Sequence, residues 1–81
     1  MDYEALSFVL AGSLRQKVVK ALAKPKTPTQ ILETVKTNDS SLSRTLKELE
    51  EHKIVECLFP DNKKGRIYQL TKKGTDIMKS Y

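Results

Sequence analysis

The sequence predicts an α+β fold: a helical core, a two-stranded β-hairpin and a short C-terminal helix. Three observations carry this. Apolar residues recur at helical spacing from Leu6 to Leu49. After Lys53 the period shortens to two, first in "IVECLF" and again in "RIYQLT". The "PDNKKG" between them gathers residues that make turns. At 81 residues the chain reads as one small domain, 1–81. A domain of this size buries only about 60% of its unfolded surface. An apolar share of 38% still suffices for one modest core.

The elements follow in order. Residues 5–23, "ALSFVLAGSLRQKVVKALA", place Leu6, Val9, Leu10, Leu14, Val18, Val19 and Leu22 at helical intervals. Gly12-Ser13 interrupts the run, and Ser13 is expected to cap a firm second piece from about Leu14 to Ala23. Lys24-Pro25 ends it, because a residue before proline avoids the helical region.

"TPTQ" at 27–30 starts the next helix. Thr27 caps, Pro28 is pre-set for the first helical position, and Gln30 completes a capping box. Ile31, Leu32 and Val35 turn to the core. Thr37-Asn38-Asp39 then offers a turn and a new cap.

The following helix, about 39–52, buries Leu42, Leu46 and Leu49. Ser40, Ser43, Arg44 and Lys47 lie on or beside its opposite face. Two helices joined by a tight turn make a helix-turn-helix whose second member presents a polar face. In the hairpin, Val55, Cys57 and Phe59 share one side, as do Tyr68 and Leu70. Thr71 caps the last helix, where Ile77, Met78 and Tyr81 cluster.

Charge is unevenly placed. The net charge is +5, and Lys63, Lys64, Arg66, Lys72 and Lys73 fall within one short acid-free segment. Elsewhere ten cations meet ten acids. A localised basic patch suggests a polyanionic partner, most often nucleic acid.

This order of elements resembles a winged helix-turn-helix, and the residues resemble the small archaeal and bacterial transcription regulators of that family. "SLSRTLKELEEHKIVE" is similar to the family's recognition helix running into the first wing strand. "GRIYQLTKKG" resembles the second wing strand and the lead-in to the last helix. "TPTQILETV" resembles the first helix of the helix-turn-helix. There are two departures. Thr37 stands where such turns often carry an apolar residue, which implies a looser turn. His52 stands where a glycine commonly ends the recognition helix, which implies a left-handed cap or a frayed end.

The resemblance implies sequence-specific binding of double-stranded DNA and a role in transcription regulation. A recognition helix enters the major groove by its N-terminal half. Here that half holds Ser40, Ser41, Ser43, Arg44 and Lys47. The serines let the backbone approach closely. Arg44 is the expected base reader and Lys47 a phosphate contact. Glu48, Glu50 and Glu51 should point out of the groove, since carboxylates repel phosphate. The bland reading of this face is an Arg44–Glu48 helix pair worth a few tenths of a kcal/mol. The wing at 60–66, with Lys63, Lys64 and Arg66, would reach a minor groove or the backbone. Lysines at a hairpin tip also simply deter edge pairing.

Other functions find little support. His52 and Cys57 are too few for a zinc site, no glycine-rich phosphate loop occurs, and no catalytic set suggests an enzyme. Nothing points to a cofactor or a small-molecule ligand. No run is long and apolar enough for a membrane span, and the acidic start (Asp2, Glu4) is unlike a secretory signal, so a cytoplasmic protein is expected. A winged-helix protein-interaction module within a larger complex is the alternative. A homodimer is also expected. Tyr3, Leu6, Leu10, Ile77, Met78 and Tyr81 would form either its interface or the edge of the monomer's core.

Overall fold

A computed structural model describes residues 2–58 and 66–81. Its elements are α1 (Tyr3–Leu10), α2 (Ser13–Ala21), α3 (Pro28–Val35), α4 (Asp39–Glu51), β1 (Val55–Leu58), β2 (Ile67–Leu70) and α5 (Lys72–Lys79). Helices plus a two-stranded antiparallel hairpin, in this order, are the winged helix-turn-helix arrangement. The hairpin's turn and Phe59 lie outside the described residues.

The Asp2 carboxylate caps α1, accepting from the Ala5 amide at 3.0 Å. Ala5 and Val9, one turn apart, are buried. Leu10 is not: it is 44% exposed. The chain breaks at Gly12, so α1 and α2 do not share one continuous apolar stripe. Ser13 does not cap α2. Gly12 takes the cap position with extended backbone and no side-chain bond, and Ser13 is the first helical residue. A Cβ on Gly12 would sit 2.9 Å from the Arg15 Cδ, so the bare glycine makes room for that side chain. The helix also ends two residues earlier than expected, at Ala21. The Lys26 ammonium closes that end by donating to the Ala21 carbonyl at 2.6 Å.

Both halves of the α3 capping box form. The Gln30 amide donates to Thr27 Oγ1 at 3.3 Å, and the Thr27 amide donates to Gln30 Oε1 at 3.0 Å. Lys36 ends α3 in the left-handed region, at φ 54°. Asn38 then caps α4, its Oδ1 accepting from the Ser41 amide at 2.8 Å. Leu42, Thr45, Leu46 and Leu49 form the buried side of α4.

The far end of α4 is neither frayed nor closed by a left-handed His52. His52 keeps φ −87°, and Lys53 takes the left-handed turn at φ 59°. The Ile54 amide bonds back to the Leu49 carbonyl and the Lys53 amide to the Glu50 carbonyl, both at 2.9 Å. This is the Schellman pattern, and it buries Ile54 directly after the turn.

In the hairpin Val55 stands opposite Leu70 and Cys57 opposite Tyr68. Tyr68 also makes a two-way backbone bridge with Lys26, at 3.0 and 2.8 Å. The segment before α3 thus adds a short third rung to the sheet. Thr71 caps α5 through the Gly74 amide at 3.1 Å. Ile77 is fully buried, whereas Met78 and Tyr81 pack on the core from its rim. The Tyr81 hydroxyl donates to the Gln16 carbonyl at 2.9 Å.

Candidate nucleic-acid interface

α4 has two unlike sides because its residue types alternate with the helical period. With Leu42, Leu46 and Leu49 inward, Ser40, Ser43, Arg44 and Lys47 come out exposed together, and Ser41 is half-buried at their edge. Ser41 gives its amide to the Asn38 cap, which fixes where the exposed front begins. Arg44 takes part in no ion pair among the described residues.

The alternative Arg44–Glu48 helix pair does not form among the described residues. Glu48 bonds instead to Arg15 of α2, at 3.4 Å. Arg15 is held on two further sides. It donates to the Phe8 carbonyl at 2.9 Å, and its guanidinium lies 3.8 Å over the Phe8 ring. The His52 ring stacks on Phe8 with centroids 3.9 Å apart and planes 18° from parallel. Phe8 therefore sits between a guanidinium and an imidazole, and this stack links α1, α2 and the far end of α4. Nothing local in the sequence announces this stack, because Arg15 and Glu48 are 33 positions apart and Arg15 lies in no motif.

Lys73 is likewise engaged within the molecule. It pairs with Asp2 at 3.0 Å and donates to the His52 carbonyl at 3.3 Å. Positive charge at the start of α5 opposes the helix dipole, and Asp2 offsets it. The Asp2 carboxyl is held below the usual carboxylate range, first by the Ala5 amide and then by Lys73.

Of the three wing residues, Lys63 and Lys64 lie outside the described residues. Arg66 is exposed at the foot of β2. Burial pushes the Tyr68 phenol above its ordinary range; nearby Glu50 adds to this, and the Arg66 guanidinium offsets it. Among the described residues no group of three His, Cys, Asp or Glu side chains could hold a metal ion. No helix among them is long and apolar enough to cross a membrane.

A family model described as a helix-turn-helix domain matches residues 10–57, more than half of the chain. The chain belongs to that family. Its match runs from the end of α1 into β1, so this helix-turn-helix domain includes the whole exposed front of α4. Solved structures agree over a longer span. Diamide-treated YodB from B. subtilis is similar at 31% identity and a TM-score of 0.81, covering 96% of this chain and 79% of that one. The reduced form of MarR from E. coli is similar at 28% identity and a TM-score of 0.79, covering 95% of this chain and 59% of that one. A cysteine-to-serine mutant of MarR complexed with operator DNA matches at 25% identity and a TM-score of 0.76, covering 95% and 60%. The helix-turn-helix domain described here thus spans about three-fifths of the length of MarR. No curated protein matches the chain.

Proposed function

We propose that the chain is a transcription regulator that binds double-stranded DNA sequence-specifically, with α4 in the major groove and the wing at 60–66 on the minor groove or backbone. The observation that carries this is the exposed front of Ser40, Ser43, Arg44 and Lys47 on α4, with Arg44 in no ion pair among the described residues. An exposed arginine fork suits bidentate recognition of guanine. The short serines Ser40, Ser41 and Ser43 let α4 approach the base edges. Lys47 neutralises phosphate, as do Lys63, Lys64 and Arg66 from the wing. That a MarR structure holds operator DNA supports the reading.

Tyr3 and Leu10, 73% and 44% exposed on α1, support self-association of the regulator. Ile77 belongs to the core and not to such an interface. A cytoplasmic location, beside the DNA of a small prokaryotic regulator, belongs to the same reading.

Selection of bound sites from a random duplex library tests it. The parent should enrich a defined site. Arg44→Gln should relax preference at one base pair and cost about 1–3 kcal/mol there. A chain that enriches no site, or an Arg44 variant with the parent's preference, overturns the assignment. An inert protein at low salt would favour a protein-interaction module instead.

A further inference from the structure

On the outer side of α4, Arg44 and Glu48 stand four residues apart. That spacing normally brings the two side chains together. A guanidinium paired to its own helix would have to release that partner before reading a base. Glu48 is taken by Arg15 instead, at 3.4 Å. We propose that Arg15 is a positioning residue: by occupying the Glu48 carboxylate from α2, it keeps Arg44 available for DNA. The proposal rests on the base-reading role given to Arg44 above.

Four features make Arg15 suited to this. Its stem passes over Gly12, where a Cβ would come within 2.9 Å of its Cδ. One terminal nitrogen is fixed by the Phe8 carbonyl at 2.9 Å, which leaves the other aimed at Glu48. The Phe8 ring backs the guanidinium at 3.8 Å. His52, one turn beyond Glu48, backs the ring in turn. The guanidinium is thus ordered by contacts that do not involve Glu48, and little further freedom is lost when it pairs. Arg44 lies on the exposed front with no comparable support, so in a contest for Glu48 the pre-ordered Arg15 holds the advantage. The arrangement also cancels a carboxylate one turn from the base reader, where it would repel phosphate.

The test has two arms. In the first, the free protein carries a 15N label and the Arg44 Nε resonance is followed. Arg15→Gln should move it, and the double variant Arg15→Gln with Glu48→Gln should return it to the parent position. Glu48→Gln alone should leave it unmoved, because Arg44 is already released. Gly12→Ala displaces the Arg15 stem without removing the side chain. It should reproduce the shift, so the proposal stays testable if Arg15→Gln fails to fold.

In the second arm the selected duplex is titrated. Arg15→Gln should lose about twofold in preference at the base pair read by Arg44, the equilibrium equivalent of one helical ion pair. Glu48→Gln should restore it. An Arg44 resonance indifferent to Arg15 overturns the proposal. So does equal impairment with Glu48 or glutamine at that position, which would make Arg15 a direct DNA contact or a purely structural residue. A parent that binds no duplex sinks the DNA reading alone, and the resonance arm then decides whether Arg15 holds Glu48 away from Arg44.

Discussion

A Cβ added to Gly74 would lie 2.1 Å from the carbonyl oxygen of Ile54. The two backbones meet where α5 docks on the chain leaving α4. That carbonyl has little room to yield, since it accepts the Thr71 amide at 3.0 Å and the Thr71 hydroxyl at 3.2 Å. Only glycine permits this approach. Gly74→Ala should therefore destabilise the fold by about 1–3 kcal/mol, through forced backbone shifts. Urea unfolding followed by circular dichroism checks it; an unchanged midpoint would contradict the packing described.

Lys53 gives an opposite case. At φ 59° it occupies a region that L-residues with a Cβ enter at a cost. Lys53→Gly removes that strain, while glycine's looser unfolded state offsets part of the gain. A net stabilisation of up to ~1 kcal/mol is expected, visible as a raised melting temperature. Lys53→Val should destabilise, because a β-branched side chain fits this conformation worst.

The front of α4 begins at the Asn38 cap. Asn38→Ala removes the acceptor for the Ser41 amide and should cost about 0.5–2 kcal/mol. The loss should concentrate in the first turn of α4. Amide exchange at residues 40–42 should accelerate more than at Leu46 or Leu49.

Tyr81 makes stability depend on alkaline pH. Burial pushes its phenol up to about 12, from an ordinary value of 10.0. The folded chain then keeps a proton that the unfolded chain releases sooner. This contribution is fully present below pH 10 and is lost as pH rises through about 12. Tyr81→Phe should flatten the decline over that window. Some slope should persist, because the Tyr68 phenol is raised as well.

If α4 and the wing both meet phosphate, affinity should fall steeply with salt. Lys47→Ala should weaken binding to all duplexes alike and reduce the salt slope by about one unit. Lys63→Ala and Lys64→Ala should act the same way. A slope unchanged by all three would remove phosphate contact from these lysines.

Much of the fold was legible because local chemistry and tertiary position agree. The Thr27–Gln30 box, Pro28 and the Asn38-Asp39 turn start α3 and α4 where their side chains reach the orphan amides of a helix start. The leucine spacing in α4 determined by itself which side would be buried, and hence that Ser40, Ser43, Arg44 and Lys47 would be exposed together. The change of period after Lys53 marked both strands. These signals work within about four residues, the reach of a helical turn or a strand's alternation.

The tertiary structure decided what required residues distant in the chain. Leu10 shares the helical spacing of core residues, yet the break at Gly12 leaves it exposed on α1. Glu48 pairs with Arg15, which belongs to another helix. Gly74 marked a lead-in motif, but only its approach to Ile54 shows why no side chain fits there. Lys26 bridges Tyr68 through backbone atoms, which leave no trace in residue type. Helical and strand periods set what each segment buries; which arginine reaches which carboxylate depends on how the packed helices cross, and the core as a whole fixes that geometry.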